Sequence, residues 1–156
     1  MPFEWIDLGK LLAACLAGAV IGLERELHDK PAGLRTNVMI CLGAALFTIL
    51  SVHITAGKTG HDSGRIAAQI VTGVGFLGAG SIIHSRGSVF GLTTAATIWL
   101  VASIGMSFGT GEFVMGGVVT ILTVVALYGL SFVEDRIATW RSTTKYQIEM
   151  EPDEHI

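Results

Sequence analysis

A chain of 156 residues that is 51% apolar and only 15% charged, with a strongly positive mean hydropathy, lies outside the composition of an ordinary soluble domain. Its formal net charge of −3 argues against a nucleic-acid binder, which would carry a basic stripe. Twenty Gly against three Pro suit membrane helices better than a chain divided by linkers, so one bilayer domain is expected.

Five stretches approach the ~20 apolar residues that a spanning helix needs. They run roughly over 6–23, 37–56, 66–83, 89–108 and 113–133. In the first, Asp7 and Lys10 interrupt the start, and Lys10 can snorkel to the headgroups. Glu4 and Asp7 stand where a signal peptide would be basic, so this segment is expected to stay as a span. It also sets small residues four apart at Ala14, Gly18 and Gly22. The second opens on Arg35, Thr36 and Asn37 and holds Cys41, which with Cys15 is expected to remain a free apolar thiol. The third, RIAAQIVTGVGFLGAGSIIH, concentrates Gly73, Gly75, Gly78 and Gly80 in eight positions, with Gln69, Thr72 and Ser81 on the same span and His84 closing it. The fourth follows Arg86, begins with Thr93 and Thr94, and repeats the small-residue spacing at Gly105 and Gly109. Beyond the fifth, EDRIATWRS reads as an amphipathic continuation and TTKYQIEMEP as a weak strand.

The resulting fold class is an all-α membrane protein, with five transmembrane helices in a compact bundle over residues 1–133 and a short amphipathic tail over 134–156. Arg25, Lys30, Arg35, Arg86, Arg136, Arg141 and Lys145 collect on one side, against Lys10, Lys58 and Arg65 on the other. The richer side is predicted to be cytoplasmic, which places the N-terminus outside and the tail inside. No inverted repeat marks a transporter of that type.

Drawn on this topology, the polar residues converge. Glu24, Arg25 and Glu26 end helix 1, and Arg35, Thr36 and Asn37 begin helix 2. Ser81 and His84 end helix 3, and Thr93 and Thr94 begin helix 4, so four helix ends supply one cytoplasmic layer. Interfacial anchoring and a functional pocket both account for it. An outer group joins Asp62 and Arg65 at the start of helix 3 to Gln69 one turn deeper, for which a cap with a snorkelling arginine is the plainer account. The glycines form GxGxxG inside an apolar run rather than between a strand and a helix, which rejects a dinucleotide site. Close helix packing explains them first and a ligand against bare backbone second. His84 has no second His or Cys at ligand spacing, and Arg25 and Arg35 beside the inner acids repel a divalent cation. The layer therefore suits salt bridges or an anionic headgroup better than magnesium, and neither a metal site nor a cofactor is expected.

Three segments carry a resemblance: GLERELHDKPAGLRTN over 22–37, D-x-x-RIAAQIVTGVGFLGAGSI over 62–82 and GLTTAATIWLVASIG over 91–105. Together they resemble the MgtC/SapB family of bacterial inner-membrane proteins, over roughly residues 5–133. The resemblance implies a multi-pass inner-membrane protein linked to survival in low magnesium, acid stress and growth inside host cells. It also implies a regulatory role, including on the proton-translocating ATP synthase, beside the family's early label as a magnesium transporter. Larger members add a soluble cytoplasmic domain, and the expected comparison for this chain is the short SapB-like branch without it. The family pattern falls on Glu24, Arg25, Arg35, Thr36, Asn37, Asp62, Arg65, Gln69, Gly73, Gly75, Gly78, Gly80, Thr93 and Thr94.

Three functions compete. The favoured one is a non-enzymatic regulator whose glycine-lined helices pack against a second copy, as a homodimer, or against another membrane protein. The second is a magnesium or small-solute transporter, which would need an oligomer to wall a pore. The third is an enzyme acting on a lipid or phosphate headgroup, with His84 or Glu24 as general base and Arg35 as anion clamp.

Overall fold

The computed structural model describes residues 4–56, 62, 64–85 and 88–129. Among these residues five helices occur: α1 (Trp5–Leu27), α2 (Leu34–Thr55), α3 (Gly64–Gly80), α4 (Leu92–Thr110) and α5 (Phe113–Gly129). Two short strands, β1 (Ile83–Ser85) and β2 (Ser88–Phe90), separate α3 from α4. The chain divides at Val124 into two units, and the packing described here belongs to the first, residues 1–124. The tail expected over 134–156 lies outside the described residues.

The corner between α1 and α2 shows how local sequence sets the fold. Gly33 precedes α2 and has no side chain to cap it, so Glu26 Oε2 accepts the Leu34 N–H at 2.8 Å instead. A Cβ at Gly33 would fall on that carboxylate. Asn37 closes the corner from inside, its Nδ2 donating to the carbonyl oxygens of Ala32 and, at 3.0 Å, Gly33. The segment GLERELHDKPAGLRTN is thus a built turn whose polar side chains satisfy backbone groups at a helix junction.

From this corner α1 and α2 run back against each other, and α2 and α4 form the centre of the unit, each in contact with α1 and α3. Small residues allow the approach. A Cβ on Gly18 would lie 2.7 Å from the Asn37 carbonyl oxygen, and one on Gly22 would lie 2.7 Å from Leu34 Cα. Opposite them, a Cβ on Gly109 would lie 2.7 Å from the Ala45 carbonyl oxygen, and one on Gly105 would fall on that of Cys41. Ala14, Ala17, Ala44, Ala45 and Ala102 fill the remaining interior with Ile21, Val101 and Ile104. Packing of this kind replaces the hydrophobic drive that lipid-facing helices lack. Cys15 and Cys41 are free thiols, Cys41 fully buried.

One expectation is corrected. Helix 3 does not reach Ile83, nor does helix 4 begin at Val89: α3 stops at Gly80, and Ile83 and His84 pair in antiparallel register with Phe90 and Val89. The β-branched pair Ile82–Ile83 follows Gly80 and Ser81, where the Ser81 N–H and hydroxyl both return to the Gly78 carbonyl oxygen, at 3.0 and 2.7 Å, and end the helix. At the start of α4, Gly91 adopts φ +89°, and a side chain there would collide with the Ser81 carbonyl.

The glycines of α3 differ in what they meet within the chain. Among the described residues, Gly78 alone of the α3 run meets another helix, where a Cβ would reach Ala95 at 3.5 Å in ordinary contact. Gly73, Gly75 and Gly80 have no such neighbour within 4 Å among the described residues. Ile70 and Val74 anchor α3 with Ala44, Ile98 and Ala102, while contact with α2 is sparse. Close packing by glycine belongs to α1 and α4, because those helices oppose α2 backbone to backbone and α3 does not.

Candidate functional site: two buried polar clusters

Residues Asp7, Glu24, Arg25 and Asn37 are all less than 9% exposed, whereas Leu16, Phe76, Val114 and Ile121 stand well exposed. This arrangement inverts that of a soluble protein. Asp7 and Glu24 both belong to α1, and at 1.5 Å per residue they lie about 26 Å apart along its axis, close to the thickness of a hydrocarbon core.

At the Glu24 end, α1, α2 and α4 each contribute. Arg25 donates from Nη2 to Thr94 Oγ1 at 3.0 Å, tying α1 to the first turn of α4. Glu24 Oε1 lies 3.2 Å from His28 Nδ1, which also approaches the Glu24 carbonyl oxygen at 2.8 Å. Glu24 Oε2, Arg25 Nε and Asn37 Oδ1 are buried without a hydrogen-bond partner among the described residues. Each of these two orphaned acceptors and one orphaned donor has capacity for a polar guest such as a water.

Of the predicted inner layer, the structure thus buries Glu24, Arg25, Asn37 and Thr94, and bonds Arg25 to Thr94. It does not bury Arg35, Thr36, Thr93 or His84, all of which are exposed. Ser81 is half-buried and bonded to its own helix end. His84 lies on β1 rather than at a helix end, and the Glu24 carboxylate pairs with His28.

The outer group behaves differently. Asp62 is exposed and accepts the Gly64 N–H at 2.8 Å at the start of α3. Arg65, Gln69 and Thr72 are exposed along α3, and Thr72 Oγ1 donates to the Ala68 carbonyl oxygen at 3.1 Å.

A second buried cluster was not anticipated. Asp7 is 1% exposed, with Oδ1 3.2 Å from Lys10 Nζ and Oδ2 3.3 Å from His53 Nε2, and Oδ2 also accepts the Glu4 N–H at 3.3 Å. Lys10 thus neutralises an acid on its own helix. Only the fold brings in His53, 46 residues along the chain, although an acid inside an apolar span was itself a signal that some partner existed. Replacement of Asp7 by Asn keeps the shape and removes the charge that holds Lys10 and His53. Unfolding in detergent is expected to show a loss of about 1–2 kcal/mol. Among the described residues, no group of three or more His, Cys, Asp or Glu side chains is placed to hold a metal ion.

Among the described residues, three helices, α1, α2 and α4, are long and apolar enough to cross a bilayer. With charge held inside and apolar side chains outside, they define an α-helical membrane protein. The sequence model of the MgtC family matches residues 11–136, and the chain belongs to that family.

Among its relatives, a candidate magnesium transporter named YhiD from Escherichia coli K12 is 44% identical over 131 residues, covering 79% of this chain and 61% of YhiD. Protein MgtC of Salmonella typhimurium LT2 is 50% identical over 117 residues, covering 74% of this chain and 48% of that protein. The uncharacterized protein slr0014 of Synechocystis is 43% identical over 134 residues, covering 82% and 55%. The chain thus spans about half to three-fifths of the length of these relatives. No solved structure matches.

Proposed function

We propose that the protein is a non-enzymatic, multi-pass inner-membrane protein that acts by binding another transmembrane helix, in adaptation to low magnesium or envelope stress. Its five helices span the membrane with the N-terminus outside and the C-terminus cytoplasmic. The observation that carries this reading is the outward face of α3. Ala68, Thr72, Gly75 and Ala79 follow one another at four- and three-residue steps and are all exposed, and a Cβ on Gly75 would meet no neighbour within 4 Å. Such a small-residue ridge accepts a helix at short range. A second copy of the chain or another membrane protein is the partner.

Gly75→Leu is expected to cut helix association in a membrane cross-linking assay about tenfold, while monomer folding is unchanged. Unchanged association removes the proposal. Gly78 is unsuitable for this test because it already abuts Ala95 within the chain. A transport reading draws on the name of YhiD. It predicts magnesium flux into proteoliposomes above that of empty vesicles, and absence of flux removes it.

A further inference from the structure

We propose that the groove between α2 and α3 is a binding site for an anionic glycerophospholipid of the surrounding bilayer. The sparse contact between these helices leaves a groove of about 520 Å³, a size typical of small-molecule sites. Its walls include Met39, Ile40 and Phe47 of α2 and Ile66, Ile70 and Leu77 of α3. Gly43 and Gly73 stand in opposite walls, each with no neighbour within 4 Å of a built Cβ, so the groove has room along its length for an acyl chain.

Toward the start of α3 this groove runs into a second one of about 490 Å³, with Ile66 and Gln69 shared between them. The character changes there: Ser51, Thr55, Gln69, Asp62 and Arg65 line the second groove. Arg65 is exposed and forms no ion pair among the described residues. The one acid beside it, Asp62, is engaged at the Gly64 N–H. The α3 N-terminus adds partial positive charge at the same place. An apolar slot opening on an uncommitted guanidinium matches a lipid whose tail is apolar and whose phosphate is anionic. Gln69 stands at the junction of the two grooves. A partner helix in the slot would fill the apolar part and leave Arg65 unmatched, so the lipid is the better fit.

Native mass spectrometry of the full chain, released from nanodiscs of equal phosphatidylglycerol and phosphatidylcholine, tests this. Wild-type protein is expected to retain phosphatidylglycerol about fivefold over phosphatidylcholine, the discrimination of one basic residue near an anionic lipid. Arg65→Gln is expected to abolish the preference. Gly73→Leu fills the slot from α3 and is expected to lose both adducts, and Gly43→Leu does the same from α2 should the first variant fold poorly. Gly75→Leu, on the other face of α3, is expected to retain the wild-type pattern. An unchanged preference in Arg65→Gln overturns the assignment, as do unchanged adducts in a folded slot-filling variant. A dimer mass that disappears when the slot is filled also overturns it, by assigning the groove to a second copy.

Discussion

Gly105→Ala is expected to destabilise the bundle by about 3 kcal/mol, and Gly105→Leu to prevent folding, because the added carbon falls on the Cys41 carbonyl oxygen. The obstacle is backbone inside an α-helix, so no rotamer change relieves it. The two helices must separate, and Ala44, whose Cβ would lie 3.0 Å from the new atom, loses its contact as well. Separation would also withdraw the neighbouring step at Gly109, one turn on, from Ala45 and Thr48. Thermal unfolding in detergent followed by size-exclusion chromatography measures the effect. Gly43→Ala is the matched comparison: it lies in α2, its Cβ meets no neighbour within 4 Å, and it is expected to be neutral or slightly stabilising through helix propensity. Equal behaviour of the two variants would show that α2 and α4 do not pack backbone to backbone.

Arg25→Ala is expected to cost about 3–5 kcal/mol, the range for removing one member of a buried charged cluster. It deletes the bond to Thr94 and leaves the Glu24 carboxylate, 8% exposed, with a buried cation removed from the adjacent position. Thr94→Val takes away the acceptor alone and is expected to cost about 1–2 kcal/mol. The two residues touch, so the double variant is expected to fall short of the sum by about 1–2 kcal/mol, as measured in a double-mutant cycle. Strict additivity would mean that Arg25 acts without Thr94 and that α1 and α4 are tied elsewhere.

Much of the buried polar set was legible because a bilayer leaves polar residues few places to go. Hydrophobic length set the helices, chain direction set which ends meet, and desolvation cost singled out Glu24, Arg25, Asn37 and Thr94. The same argument also selected Arg35, Thr36 and Thr93, which the fold turns outward. Adjacent residues on a helix point about 100° apart, so membership of a layer says nothing of rotation about the axis. The hairpin at Ile83–Phe90 was missed for a different reason. An apolar β-branched run next to a helix has no periodicity that separates a last helical turn from a first strand.

By itself, the sequence determined the membrane class, the helical character, the family and the small-residue spacing of α1 and α4, because these depend on composition and local period. Only the tertiary structure decided which glycines are used. Those at 18, 22, 105 and 109 oppose α2 backbone, whereas those at 73, 75 and 80 stand open on the peripheral α3. It also decided that Asp7 meets His53 and that Arg65 opens on the groove between α2 and α3. Spacing along one helix fixes a face, but what that face meets depends on how residues far apart in the chain are brought together.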